Sequence, residues 1–239
     1  MAIDEAMLEV AADSGATLVR VYGWSTASVS FGRNQRTDGV YSAERCAAAG
    51  VPAVRRLTGG RALLHAREVT YAVAAPVASA PTLRGGYEAI NDVLLAALRA
   101  LDVLAERAAP HERLASPGLA PCFETPAAGE LVVGQRKLVG SAQHRGARAF
   151  LQHGSILLDD DQGLLGELAL VPLPPVAVPA TLHGVNPSLD ASAVAAAIAE
   201  VLRGVVTGSL VELPDSTMPA AHVRAAETRY RDPRWTWRR

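Results

Sequence analysis

A cysteine and a lysine, Cys122 and Lys137, are the residues of this chain whose types and spacing best suit nucleophilic chemistry. An ammonium group near a thiol stabilises the thiolate, which is the nucleophilic form of cysteine. Of the 23 basic residues 22 are arginine. The single lysine therefore indicates a position that requires a compact hydrogen-bond donor of tunable pKa, which arginine does not provide. The alternatives are a leftover surface lysine and a buried, unreactive cysteine.

A second chemical pattern is the glycine pair Gly59-Gly60, which has arginines on both sides between two predicted strands. Glycines let backbone amides approach a ligand closely, and arginines can hold a carboxylate or phosphate with two hydrogen bonds. The spacing fits neither a P-loop nor a dinucleotide-binding fingerprint. An ordinary hairpin turn is the alternative interpretation.

The composition excludes several classes of protein. The 239 residues are 49% hydrophobic and 20% charged with a net charge of −1, which is typical of a globular domain and gives no general affinity for nucleic acid. The two cysteines form no CxxC or Cys/His cluster, so neither a disulfide scaffold nor a structural zinc site is indicated.

The acidic first residues do not resemble a signal peptide, and Glu167 and four prolines interrupt the apolar stretch 163–182. We expect a cytoplasmic protein without a membrane partner.

Periodicity and turn residues predict an α+β fold. Helices are expected over residues 2–13, 42–49, 87–104, 191–206 and 218–230, and strands over 17–24, 28–32, 54–57, 62–65, 68–75 and 209–213. Residues 130–159 read as a β-meander whose first turn, Gly134-Gln135, suits a type II′ hairpin and places Lys137 at the start of the middle strand. The proline-rich stretch 171–187 is expected to be a loop. The arginines and tryptophans of residues 229–239 could stack on a nucleic acid strand, but docking of the tryptophans on the domain is favoured.

Four motifs in order resemble the lipoate-protein ligase and octanoyltransferase family, which is related to the biotin protein ligases. They are Met1–Leu8, the RRLTGGRALLH of residues 55–65, the RKLVGSAQ of residues 136–143 and the QHGSILL of residues 152–158. The resemblance implies one catalytic domain over residues 1–239 with a class II synthetase-like fold: a mixed, largely antiparallel sheet flanked by helices. The family has a strand before its first helix, and we expect this strand to be missing here.

The resemblance also implies a pocket for a lipoyl or octanoyl chain, with Lys137 donating to the acyl oxygen. The small residues Gly140, Ser141 and Gly154 would leave room for the chain. The implied substrate-binding residues are Arg56, Thr58, Gly59, Gly60, Arg61, Ala62, Leu63, Leu64, His65, Gly140, Ser141, His153 and Gly154.

Cys122 favours the cysteine-dependent transferase branch of the family over its ATP-dependent branch. An octanoyl or lipoyl group would pass from an acyl carrier protein to Cys122 and then to a lysine of a lipoyl-domain protein, without a cofactor or metal. The acceptor would be the glycine cleavage H protein or an acyltransferase subunit of a 2-oxoacid dehydrogenase.

Two alternatives remain open. Phe31–Gln35 resembles the ligase version of that strand, and no tyrosine or tryptophan precedes Glu130 as is usual in the transferases. A ligase that uses ATP and Mg²⁺ is therefore the first alternative. A non-catalytic binder of lipoate or of an acylated carrier is the second.

Overall fold

The protein is built around a six-stranded antiparallel sheet. The computed structural model describes residues 1–109, 129–174 and 177–238. The strand order is β1-β5-β9-β8-β7-β6. The strands are β1 (Leu18–Tyr22), β5 (Glu68–Pro76), β6 (Glu106–Arg107), β7 (Leu131–Val133), β8 (Arg136–Arg145) and β9 (Ala149–Leu157). The expected α+β class is therefore confirmed, as is the meander of β7, β8 and β9.

A smaller sheet of three strands stands apart from the first. It contains β2 (Ser28–Phe31), β3 (Ala53–Arg55) and β4 (Leu63–His65). Its order is β3-β2-β4, with β2 parallel to β3 and antiparallel to β4. The whole sheet system is thus mixed but largely antiparallel, as expected.

Helices pack on both faces of the large sheet and on the small sheet. They are α1 (Ala2–Ser14), α2 (Ala43–Ala48), α3 (Leu83–Ala100), α4 (Leu164–Leu168), α5 (Leu182–Val185), α6 (Ala191–Val205), α7 (Ala220–Arg231) and α8 (Pro233–Thr236). Successive strand residues point to opposite faces, so each strand serves two layers. Tyr71 of β5 packs in the layer of α3 and α6, while its neighbour Ala72 packs against Met7 of α1. Burial of apolar surface in these two layers stabilises the sheet.

The third helix begins and ends about four residues before its predicted position. Thr82 caps its first turn by accepting a hydrogen bond from the Gly85 amide at 3.0 Å. The helix ends at Ala100, and Asp102 then adopts a left-handed φ of 58°, a conformation that terminates a helix. The apolar periodicity of the sequence extends beyond Ala100 because Leu101 and Val103 still pack into the core.

One further sequence expectation is confirmed and another is wrong. The predicted strands 17–24 and 28–32 exist, but they lie in different sheets, since β1 pairs with β5 and β2 pairs with β3 and β4. The strand predicted over 209–213 is wrong. That segment is irregular, and Leu210, Val211 and Leu213 are exposed. A segment rich in residues of high strand propensity does not form a strand without a neighbouring strand to pair with.

The C-terminal tryptophans dock on the small sheet, as the sequence favours. The Trp235 indole donates to the Arg55 carbonyl at 2.7 Å, and the Trp237 ring lies 5.4 Å from the Phe31 ring. The buried Arg55 guanidinium in turn donates to the carbonyls of Trp235 and Thr236. None of the helices in the described ranges is long and apolar enough to cross a membrane.

Candidate active site

The glycine turn between β3 and β4 is shaped by the side chain of Arg56. This buried guanidinium donates to the carbonyl oxygens of Gly59 at 2.9 Å and Arg61 at 2.8 Å. It also donates to the Ser30 hydroxyl on β2 at 2.9 Å. Gly60 has a φ of +92°, a conformation that L side chains rarely adopt. These contacts give Arg56 a role in holding the turn.

The turn lies directly against the end of β2. A Cβ atom on Gly32 would come within 1.9 Å of the Gly60 carbonyl oxygen, so no side chain fits there. The backbone amide of Arg33 donates to the Thr58 carbonyl at 2.8 Å. Glycine at position 32 therefore permits the close approach of the turn backbone to the end of β2.

A buried polar network continues from the turn to β5. The His65 imidazole contacts the Ser30 hydroxyl at 2.7 Å and the Glu68 carboxylate at 2.8 Å, and it stacks on Trp24. Burial acts to raise the pKa of Glu68, but the charge and hydrogen bond of His65, with two hydroxyl donors, hold it below its usual range. His65 is thus an internal link between the two sheets.

His153 connects the turn to the centre of the large sheet. On β9 it pairs with Ala72 on one side and Ala142 on the other, so it is flanked by two small residues. Its Nε2 atom lies 2.7 Å from the Thr58 hydroxyl. Burial lowers the pKa of His153, and the charge of Arg56 acts in the same direction.

A β-bulge decides the direction of Lys137. Leu131 of β7 pairs with Val139 of β8, whereas the next residue, Val132, pairs with Lys137, so β8 contains one extra residue. Directly paired residues share a face and successive residues alternate. The bulge therefore turns Lys137 to the face opposite Val139, which is the face of Gly140 and of His153.

The Lys137 ammonium is buried and held by a carboxylate. It is 3% exposed, and its Nζ lies 2.7 Å from Oε1 of Glu130, which is 7% exposed. Glu130 and Val132 share a face of the sheet because they are two residues apart along an extended segment, in which side chains alternate. Sequence reasoning did not assign Glu130 to the site, although its position across a two-residue hairpin from the lysine could have indicated it.

Ser141 and Gly154 lie on the opposite face of the sheet. They pair with each other, and Gly154 pairs with Tyr71 on its other side. A Cβ atom on Gly154 would meet the Gly140 carbonyl oxygen at 2.5 Å and the Tyr71 ring at 2.7 Å. The Tyr71 hydroxyl contacts the Ser141 hydroxyl at 2.6 Å. The space that the glycine leaves is thus taken by Tyr71.

The structure brings together part of the set predicted from sequence. Hydrogen bonds and strand pairing collect Arg56, Thr58, Gly59, Gly60, His65, His153 and Gly140 around the turn and one face of β8 and β9. Leu63 packs against Leu157, while Ala62 and Leu64 belong to the core of the small sheet, and Arg61 contributes its carbonyl to Arg56. Cys122 lies outside the described residues.

Several polar residues of this region were missed by the sequence analysis. They are Asp4, Trp24, Ser30, Glu68 and Glu130. Asp4, Trp24 and Ser30 are identified only by contacts with residues remote in sequence, whereas Glu68 and Glu130 lie within seven residues of His65 and Lys137. No group of three or more residues suited to a metal ion occurs within the described ranges.

Comparison with known proteins relates the chain to enzymes of lipoylation. A family model for the lipoyl protein ligase A/B catalytic domain matches residues 1–201. An octanoyltransferase LipM of Kyrpidia tusciae is 44% identical over 171 residues, which cover 67% of this chain and 62% of that protein. An octanoyltransferase LipM of Brevibacillus brevis is 34% identical over 100% of this chain and 94% of that protein. The match spans 62% to 65% of the length of the Kyrpidia relative and two others.

Solved structures agree on the fold. A Thermoplasma acidophilum protein assigned to the lipoate protein ligases, with bound lipoic acid, has a TM-score of 0.80 and 18% identity, covering 99% of this chain and 92% of its own. A bi-partite lipoate protein ligase of the same organism, studied with its E2 lipoyl domain, has a TM-score of 0.77 and 18% identity, covering 99% and 89%. At this identity the likeness concerns the fold alone, which is that of the lipoate ligases.

Proposed function

Because the chain belongs to the family of lipoyl protein ligase A/B catalytic domains, we propose that it transfers an octanoyl or lipoyl group to a lysine of a lipoyl-domain protein. The relatives named octanoyltransferase LipM support transfer from an activated acyl group. The reaction belongs to protein lipoylation, in the cytoplasm.

The observation that carries this proposal is the placement of Lys137. A bulge turns the single lysine of the chain toward the face of the glycine turn and His153, and Glu130 holds its ammonium at 2.7 Å. A fixed cation in a buried site stabilises negative charge far better than one in water. Such a cation suits an acyl carbonyl oxygen that becomes negative as the carbonyl is attacked.

The proposed nucleophile is Cys122. In the first half-reaction its thiolate attacks the thioester carbonyl of an acylated carrier protein, a new thioester forms on Cys122, and the carrier thiolate leaves. In the second, the neutral ε-amine of the acceptor lysine attacks this thioester. An amide forms, Cys122 leaves as thiolate, and the amine proton passes to solvent or to a nearby base. Lys137 favours the thiolate before attack and the oxyanion during it.

The acyl chain is proposed to lie between the glycine turn and the meander. Gly140 and Ala142 are small residues on the face that Lys137 shares, so they leave space beside β8. Thr58, His65 and His153 form the polar wall. Arg56 contributes by holding the turn, since it donates to the carbonyls of Gly59 and Arg61.

The proposed partners are an acyl carrier protein as donor and a lipoyl-domain protein as acceptor. The acceptor is either the glycine cleavage H protein or an acyltransferase subunit of a 2-oxoacid dehydrogenase. A solved ligase of the same fold was studied with an E2 lipoyl domain, which supports the class of acceptor. Transfer between thioester and amine needs no ATP, metal or other cofactor, because the acyl group arrives activated.

The second candidate is an ATP-dependent lipoate-protein ligase, favoured by the ligase-like stretch Phe31–Gln35. One experiment separates the two functions. The enzyme and a lipoyl domain are incubated either with octanoyl-acyl carrier protein or with lipoate, ATP and Mg²⁺, and the acceptor is weighed by intact-mass spectrometry. We expect modification in the first mixture without ATP. Modification in the second mixture alone would select the ligase, and modification in neither would indicate a non-catalytic binder.

A further inference from the structure

A chain of three side chains links the first helix to the glycine turn. The Asp4 carboxylate of α1 lies 3.3 Å from Nδ1 of His153, and Nε2 of His153 lies 2.7 Å from the Thr58 hydroxyl. Asp4 is 1% exposed, His153 5% and Thr58 0%. The arrangement is carboxylate, imidazole and hydroxyl in series, inside the protein.

Asp4 acts as a hydrogen-bond acceptor in this arrangement. Burial acts to raise its pKa, but the α-amino group of Met1, together with His153 and Arg20, holds the pKa of Asp4 well below its usual range. The Tyr22 hydroxyl donates to it at 2.9 Å and Arg20 at 3.2 Å. An ionised carboxylate can only accept, so Nδ1 of His153 must carry a hydrogen and donate it.

The protonation of His153 then fixes the role of Thr58. Burial lowers the pKa of the imidazole and outweighs the hydrogen bond and charge of Asp4, which act to raise it, so at neutral pH and above His153 carries one hydrogen. With that hydrogen on Nδ1, Nε2 is an acceptor, and the Thr58 hydroxyl must donate to it. The oxygen of Thr58 keeps its lone pairs for other donors.

We propose that Asp4 is a positioning residue of the site: it fixes the tautomer of His153 and thereby orients Thr58 and the glycine turn against β9. A free imidazole prefers its hydrogen on Nε2, so the carboxylate reverses the ordinary tautomer. The other groups that face His153 agree with this role. Arg20 and Tyr22 of β1 bind Asp4, Arg56 of the turn is a cation, and β5 and β8 present Ala72 and Ala142.

The test is nitrogen NMR of the histidine rings in the full chain, with the His153 signals assigned from a His153→Gln variant. We expect wild-type His153 to carry its hydrogen on Nδ1 and to titrate below the ordinary histidine pKa of about 6.5. In Asp4→Leu the hydrogen should move to Nε2. The matched control is Asp13→Leu, an exposed position of the same helix, which should leave the tautomer unchanged.

Three results would overturn the proposal: a wild-type His153 with its hydrogen on Nε2, one that titrates near pH 6.5, or an Asp4→Leu variant that keeps the Nδ1 tautomer. If Asp4→Leu does not fold, the wild-type spectrum still decides. This spectroscopic result does not depend on the proposed function, so the two can fail separately.

A kinetic arm rests on the proposed function. If Asp4 acts through His153, Asp4→Leu and His153→Gln should slow formation of the acyl-enzyme by similar factors, about 10-fold for one lost hydrogen bond. The double variant should then be no slower than either single variant. Losses that multiply would show that the two residues act separately and would contradict the proposal.

Discussion

The Lys137 ammonium and the Glu130 carboxylate lie 2.7 Å apart, both almost completely buried, on the two arms of one hairpin. A two-residue turn joins β7 to β8, and the bulge after it directs Lys137 to the site face. The pair therefore belongs to the local geometry of the hairpin. The Glu130 carboxylate fixes the position of the Lys137 ammonium, the proposed catalytic cation, and balances its positive charge.

Replacing Glu130 by Gln should weaken both stability and transfer. The lysine would lose the anion that holds it in a buried place, and loss of a charged hydrogen bond there costs about 1–3 kcal/mol. We expect the rate of acyl-enzyme formation to fall about 10-fold or more, since a cation displaced from the oxyanion stabilises it less. The rate is measured with a thiol-reactive dye that detects the released carrier thiol.

The control for this change is Glu106→Gln, on the exposed neighbouring strand β6. It should leave both rate and stability unchanged. A Glu130→Gln variant that transfers at the wild-type rate would show that the ion pair has no part in the reaction.

Replacing Gly154 by Ala should destabilise the fold. The added methyl group would meet the Gly140 carbonyl oxygen at 2.5 Å, and backbone of a central strand cannot move away cheaply. Overpacking of this kind costs about 1–3 kcal/mol. Urea unfolding measures the loss, with Gly208→Ala as the control because a methyl group there meets no atom within 4 Å. Equal unfolding midpoints for the two variants would mean that Tyr71 and Ser141 do not fill this space.

Stability should decrease on acidification partly through His153. Burial lowers its pKa in the folded protein, so below about pH 6.5 the unfolded chain binds a proton that the folded chain does not. The free energy of unfolding therefore decreases as the pH is lowered below this value. The contribution of this group is at most about 1.4 kcal/mol per pH unit. Urea unfolding at several pH values should show a shallower decrease for His153→Gln.

A His222→Gln variant, half-buried on α7, provides the control for this pH dependence. Its pH dependence measures the effect of removing one imidazole that makes no contact with Asp4 or Thr58. If His153→Gln follows the wild-type curve, His153 does not titrate differently in the two states.

Much of the fold could be predicted from local patterns. The α1 helix, the meander and the hairpin before Lys137 follow from periodicity and from glycine at the turn, which are properties of adjacent residues. The docking of Trp235 and Trp237 was favoured on composition alone. The strand expected at 209–213 failed because strand formation needs a partner that local sequence does not specify.

The candidate site could be predicted only in part. The motifs located Thr58, His65 and His153, but the direction of Lys137 depends on one extra residue in β8, and a shift of one residue changes the face. Asp4 and His153 meet although they are 149 residues apart. Such contacts come from the packing of α1 on the sheet, which periodicity predicts as burial but not as a specific hydrogen bond.

The acyl group is proposed to pass through Cys122, and the chain offers its own control in Cys46, which is buried on α2. Wild type, Cys122→Ala and Cys46→Ala are incubated with octanoyl-acyl carrier protein without ATP, and each enzyme is analysed by intact mass and peptide mapping. We predict one octanoyl group, released by hydroxylamine, on Cys122 of wild type and Cys46→Ala, and none on Cys122→Ala. A Cys122→Ala variant that still transfers octanoyl groups to the lipoyl domain at the full rate would contradict the account.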